Sequence, residues 1–199
     1  VIALFTGMVL ALQTAHTLAL FGAKLFIGEV VAVSLVRELG PVLTSLMVGG
    51  RVGAGITAEL GSMTVSEQVD AIRSLGGDPI RRLVVPRMWA LLLGLPLLVV
   101  LANATGIVGG MLIASWELDL SPGLYFSRAT RLLTYGDYFS GIAKSGFFAF
   151  AIGLIASYNG LQARGGADGV GTATTNTVVA IAITVLTLDF FLTKLFLVL

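Results

Sequence analysis

Long apolar stretches alternate with a few short polar ones along this chain. Charge-free windows run from Val1 to Ala23, Met88 to Trp116, Ser145 to Ala163 and Gly169 to Leu188; the last extends through Phe190–Leu199 despite Asp189 and Lys194. A helix that crosses a bilayer needs about 20 mostly apolar residues at 1.5 Å rise each, so each window predicts a span. Their Gly and Pro residues are tolerated in membrane helices. A fifth stretch, Ile27 to Met63, is less ordinary because it carries Arg37, Glu38, Arg51 and Glu59. Its centre contains the pair Gly49 and Gly53, with Ala54, Gly55 and Ala58 keeping the surface small. Such surfaces let helices approach closely. The pattern predicts a long helix packed inside a bundle, its charges facing protein or a cavity rather than lipid. With their flanks, the expected spans are 1–23, 27–63, 84–116, 138–163 and 172–197 within a single domain over 1–199. The expected fold class is an all-α integral membrane protein with five transmembrane helices.

The polar segments set the expected orientation. Segment Ser62–Arg87 holds Arg73, Arg81, Arg82 and Arg87, and Lys and Arg near span ends mark the cytoplasmic side. Alternation then places 117–144 outside and 162–176 inside.

Within the cytoplasmic segment, Thr64-Val-Ser-Glu67 fits a capping box, in which threonine and glutamate satisfy each other's free amides. A short helix over 64–77 is predicted, ending at Gly76-Gly77, where glycine accepts a left-handed conformation. Val65, Val69, Ile72 and Leu75 fall on one face, with Glu67, Asp70 and Arg73 elsewhere. Asp78-Pro79 restarts a helix as N-cap and first residue. Such a helix either lies on the bilayer or docks into a groove of a partner ATPase. Its acidic residues favour the protein partner, because anionic headgroups repel them.

Composition agrees with the pattern. Of 199 residues, 56% are hydrophobic and 12% charged, against about 25% charged in soluble domains. The net charge of +1, without a basic run, points away from nucleic acid. The absence of cysteine excludes disulfides, zinc–thiolate sites and thiol catalysis. His16 is the only histidine, so neither a metal ligand set nor a Ser/His/Asp arrangement is expected. No GxxxxGK[ST] occurs, so ATP is not expected to bind this chain through a P-loop, and no cofactor is expected on it. The chain opens inside an apolar run at Val1, without a signal-peptide pattern, which suggests that natural sequence precedes it.

A series of motifs carries a family resemblance. Arg37-Glu-Leu-Gly-Pro-Val, Gly50-Arg-Val-Gly, Ala58-Glu-Leu-Gly-Ser-Met, Glu67-Gln-Val-Asp-Ala-Ile, Asp78-Pro-Ile-Arg-Arg-Leu-Val-Val-Pro-Arg and Leu188-Asp-Phe follow one another in order. The series resembles the MlaE/YrbE permeases, membrane subunits of ABC transporters that work with MCE-domain proteins. The resemblance implies a homodimer of five-span subunits in a bacterial inner membrane. It also implies a pair of ATPases carrying ATP and Mg, often a STAS-domain protein, an MCE-domain hexamer, and phospholipid or a related lipid as cargo between inner and outer membranes. The family's N-terminal interfacial helix has no counterpart here. The resemblance further implies a lipid path that includes Arg37, Glu38, Lys144 and Leu10, although Leu10 also reads as an ordinary lipid-facing leucine. It implies ATPase coupling through Glu67, Asp70, Arg73, Gly76, Asp78 and Pro79. Asp70-Ala-Ile-Arg-Ser-Leu-Gly76 is similar to the first half of the EAA loop of importers, but the stretch from Gly76 to Pro86 is shorter than in those proteins.

The remaining intramembrane charges read as structural. Arg51 and Glu59 lie eight residues apart, about 12 Å along a helix, so each is expected to pair across the bundle rather than with the other. Asp189 reads similarly, with Lys144 or Lys194 as a fitting partner. Two other function classes remain open at this point: an ion-coupled carrier or channel, for which Asp189 is the lone candidate, and a membrane scaffold that transports nothing.

Overall fold

The computed structural model describes residues 1–117 and 119–198; Leu199, the end of the last apolar window, lies outside them. No strand occurs among the described residues. The helices are α1 (Ile2–Leu20), α2 (Ile27–Val65), α3 (Gln68–Ser74), α4 (Ile80–Glu117), α5 (Pro122–Arg131), α6 (Tyr135–Leu161) and α7 (Gly166–Val198). Five of them, α1, α2, α4, α6 and α7, are long and apolar enough to cross a membrane. The fold is therefore all-α and of the integral membrane class.

Helix α2 has 39 residues, nearly twice the roughly 20 that a bilayer demands. It contains two wider turns in which an amide reaches back five residues: Gly40 to the Leu35 carbonyl, and Ala54 to that of Gly49. A third, Val85 to Ile80, opens α4. Such π-turns inside α-helices concentrate at functional sites. The first two of them bear Arg37-Glu38 and Arg51.

The chain divides into two compact units. The first comprises Val1–Thr44 and Pro96–Lys144. Its core gathers Ala11 and Ala15 of α1, Ile27, Val31, Ala32 and Leu35 of α2, Ala114 of α4, and Tyr125 and Ala129 of α5. Helix α5 starts cleanly because the Ser121 hydroxyl accepts from the Leu124 amide and Pro122 sits at its first position. It buries Tyr125 and Ala129 on one face, and burial pushes the Tyr125 phenol above its ordinary range, keeping it neutral. Two glycines set the spacing here. A Cβ at Gly40 would collide with Asn103 Oδ1 and the Leu35 carbonyl, and one at Gly141 with the Val36 carbonyl. The first lets α4 lie against α2, and the second does the same for α6.

The second unit comprises Ser45–Leu95 and the chain from Ser145. The Gly49 and Gly53 pair seats Ile181 of α7, as small-residue surfaces allow. The Thr57 hydroxyl lies 3.0 Å from the Ala156 carbonyl and 3.1 Å from the Thr177 hydroxyl, which also receives the Asn159 amide at 2.9 Å. These groups form a polar clasp within otherwise apolar packing.

The capping box expected at Thr64 does not form. The Thr64 hydroxyl donates back to the Leu60 carbonyl at 2.8 Å, and that of Ser66 to Ser62 at 2.7 Å. Helix α2 therefore continues to Val65, and Glu67 turns the chain at φ +60° without making a side-chain cap. The short helix is thus Gln68–Ser74 rather than the full 64–77. Its end follows the glycine signal: Gly76 is left-handed at φ +75°, its amide bonds Arg73, and that of Gly77 bonds Ile72. Asp78 then accepts from the Ile80 amide at 2.9 Å, with Pro79 first in the next turn.

Gly40→Ala should lower the stability of the detergent-solubilised protein by about 2 kcal/mol, the usual cost of overpacking. Adding Asn103→Ala should recover part of that loss, because one of the two collisions disappears. Thermal unfolding measures both; an unchanged melting temperature for the single variant would contradict the close contact.

Candidate functional site

The site is built on the first π-turn of α2. Pro41 has no amide hydrogen, so the Arg37 carbonyl four residues earlier lacks its helical partner. Lys144 of α6 fills that position: its Nζ donates to the Arg37 carbonyl at 3.2 Å and to Glu38 Oε2 at 2.6 Å. Gly141, one turn earlier on α6, permits the approach. Arg37 Nε meets Asp137 Oδ1 at 3.1 Å, and the other Asp137 oxygen accepts the Thr134 amide at 2.8 Å, fixing the carboxylate at the start of α6.

Two positive and two negative groups are thereby interleaved. The Lys144 and Asp137 side chains are 2% and 13% exposed, whereas Arg37 and Glu38 are 37% and 39% exposed. Each pair therefore has one buried anchoring member and one open member. The open members, a guanidinium and a carboxylate, are adjacent in sequence and differ in sign. The arrangement can meet a group that carries both a phosphate and an amine, or either alone.

A further ion pair lies in the same unit. Arg128 of α5 meets the buried Glu29 at 3.3 Å and stacks over the Phe26 ring at 5.7 Å. Beside it is an open cavity of about 350 Å³, lined by Phe26, Glu29, Val30, Val33, Ser34 and Leu132.

Of the residues that the sequence marks for a lipid path, Arg37, Glu38 and Lys144 come together. Leu10 does not join them; it is half-buried and packs on the core of the first unit. The residues expected to couple to an ATPase lie in the second unit. Asp70 and Arg73 pair at 3.0 Å on the exposed face of α3, Glu67 is exposed, and Asp78 lies 3.8 Å from Arg81. The apolar stripe divides: Val69 is buried, but Leu75 is 88% exposed. Glu59 finds a partner across the unit in Arg87, at 2.7 Å. Arg51 does not; it is exposed and its side chain makes no hydrogen bond or ion pair among the described residues. Asp189 is half-buried on α7.

Asp137, Pro41, Glu29 and Arg128 were missed as site residues. Pro41 carried a usable signal, since a proline within a helix names the carbonyl it orphans. Asp137 and the Glu29–Arg128 pair join residues far apart in sequence, which spacing does not reveal.

Five apolar spans joined by short segments, with ion pairs organised between helices, define a multi-pass helical membrane protein. The family model Permease MlaE matches residues 1–195, and the chain belongs to that family. It is 44% identical over 135 residues to a probable ABC transporter permease protein of Rickettsia felis, covering 68% of this chain and 52% of that protein. It is 40% identical over 134 residues to the intermembrane phospholipid transport system permease protein MlaE of Haemophilus influenzae, covering 67% of this chain and 51% of the relative. A probable ABC transporter permease protein of Synechocystis is 40% identical over 191 residues, 96% of this chain and 73% of its own length. The chain spans about half the length of the Rickettsia and Haemophilus relatives.

Glu38→Ala removes the carboxylate 2.6 Å from the buried Lys144 ammonium and should destabilise the protein by about 3 kcal/mol. Arg37→Ala removes a more exposed member and should cost about 1 kcal/mol or less. Thermal denaturation of the two variants in detergent should rank them in that order; the reverse order would contradict the assignment of Lys144 as the buried anchor.

Proposed function

We propose that this chain is the permease subunit of an ABC transporter that moves phospholipid or a related lipid between the inner and outer membranes of a bacterial envelope. The observation that carries this reading is the interleaved cluster Arg37–Asp137 and Glu38–Lys144, set in apolar helices of a chain that belongs to the MlaE permease family. The half-exposed Arg37 guanidinium is suited to a headgroup phosphate, and the adjacent Glu38 carboxylate to a headgroup amine. Apolar helix surfaces around them suit acyl chains.

Energy comes from separate ATPase subunits that hold ATP and Mg; this chain contributes the coupling surface. Helix α3, with Glu67, Asp70 and Arg73 exposed, is a short rigid projection bounded by two left-handed residues, Glu67 and Gly76. Docked in an ATPase groove, it moves when the ATPases close, and α2 carries the displacement. The assembly is a homodimer in the bacterial inner membrane, with an MCE-domain hexamer and a STAS-domain protein as further partners. The name of the Haemophilus relative supports the cargo class.

In proteoliposomes containing the whole complex, Arg37→Ala and Glu38→Ala should each reduce ATP-dependent transfer of labelled phospholipid about tenfold, the effect of losing one charge-assisted contact. Subunit assembly should persist. Normal transfer in both variants would remove the headgroup role, and transfer without ATP hydrolysis would remove the ABC mechanism. Charge reversal at Glu67 and Asp70 should abolish co-purification of the ATPase; full recovery would show that α3 is not the docking element.

A further inference from the structure

The Arg51 side chain makes no hydrogen bond or ion pair among the described residues. It lies in the second π-turn of α2, eight residues before Glu59 and fourteen before the helix end at Val65. At 1.5 Å per residue these separations are about 12 and 21 Å, along a helix long and apolar enough to cross a membrane. A charge within a membrane-crossing helix needs a partner. Glu59, the nearest acid along the helix, is already held by Arg87. A guanidinium does not shed its proton in proteins, so neutralisation by deprotonation is closed to it.

The surroundings of Arg51 are open. Met47, Arg51, Gly55, Ala58 and Ser62, at helical spacings of four and three, share one face that is exposed or half-exposed. A Cβ added at Gly50 or Gly55 would meet nothing within 4 Å. The opposite face, with Gly49, Gly53 and Thr57, is the one that packs within the unit. Helix α2 therefore buries one small-residue face and leaves the face bearing Arg51 free.

We infer that Arg51 binds the phosphate of a lipid, as a contact separate from Arg37 and located in the unit that carries the coupling segment. The inference rests on the lipid-permease reading above and deepens it. A second copy of this chain is a poorer partner. Where this face of α2 packs on its own copy about a two-fold axis, Arg51 meets Met47, Gly55, Ala58, Ser62 and its own counterpart, none of them an acid. A lipid phosphate supplies the missing negative charge, matches the planar donors of the guanidinium, and brings acyl chains compatible with the apolar helix around it.

The test uses the intact complex in nanodiscs and two fluorescent probes with identical acyl chains, phosphatidylglycerol and diacylglycerol. Arg51→Ala should weaken phosphatidylglycerol binding about tenfold, as expected for one charge-assisted contact. Diacylglycerol binding should be unchanged, and Arg51→Lys should retain part of the phospholipid affinity. Equal loss for both probes would overturn the inference, since that reports packing rather than phosphate recognition. Wild-type phosphatidylglycerol affinity in Arg51→Ala would overturn it as well. Arg37→Ala runs alongside: weakening there but not at Arg51 leaves the proposed function standing and defeats only this inference, and no weakening at either defeats both. Inorganic phosphate at millimolar concentration should not displace the lipid probe; displacement would transfer the site to a free anion. Loss of subunit association in Arg51→Ala, read by native mass spectrometry, would assign the charge to a second copy instead.

Discussion

A proline within a membrane-crossing helix leaves a carbonyl that hydrocarbon cannot satisfy. At Pro41 the orphan is the Arg37 carbonyl, and the buried Lys144 ammonium takes it. That single requirement organises the first unit. The ammonium needs a counter-charge, which Glu38 supplies from the same π-turn. The close approach of α6 needs Gly141, and Arg37, on the other side of the turn, is held by Asp137 at the beginning of α6. Backbone repair and the placement of two half-exposed charges are thus one construction, and the candidate site is the part of it left open.

The second unit solves a different problem. It must hold in place a helix of only seven residues. Isolated helices that short do not persist in water, so its boundaries come from backbone geometry and packing. Glu67 enters it through a left-handed turn, Gly76 and Gly77 close it, Asp78 and Pro79 start the next helix, and Val69 pins it by burial. Above it, Thr57, Asn159 and Thr177 tie the helices with hydrogen bonds that the apolar surroundings leave no alternative to. Arg87 adds a charged tie to Glu59 and donates to the Leu83 carbonyl at 2.6 Å. The Arg51 side chain stands outside this internal accounting.

The all-helical fold, the five spans and the family could be read from residue order. Apolar windows of sufficient length admit little else in a membrane, because only a helix or a closed barrel satisfies its own backbone there. The stop at Gly76-Gly77 and the start at Asp78-Pro79 were legible too, since those residues act on backbone groups one turn away. Thr64 shows the limit of such local signals. Its hydroxyl can cap a helix or donate back to the Leu60 carbonyl, and packing of α2 beyond that point selected the second.

What the chain determined by itself is therefore whatever acts through neighbours in sequence: span lengths, turns, and the carbonyl that Pro41 orphans. What only the tertiary structure decided is which distant group answers each need. Lys144 rather than water reaches Arg37, Arg87 rather than Arg51 reaches Glu59, and Glu29 takes Arg128. The physical reason is that a charge inside apolar surroundings demands a partner without specifying which one. The choice follows from which helices lie within about 3 Å of each other's side chains, and that depends on small residues such as Gly40 and Gly141 whose effect appears only when two helices meet.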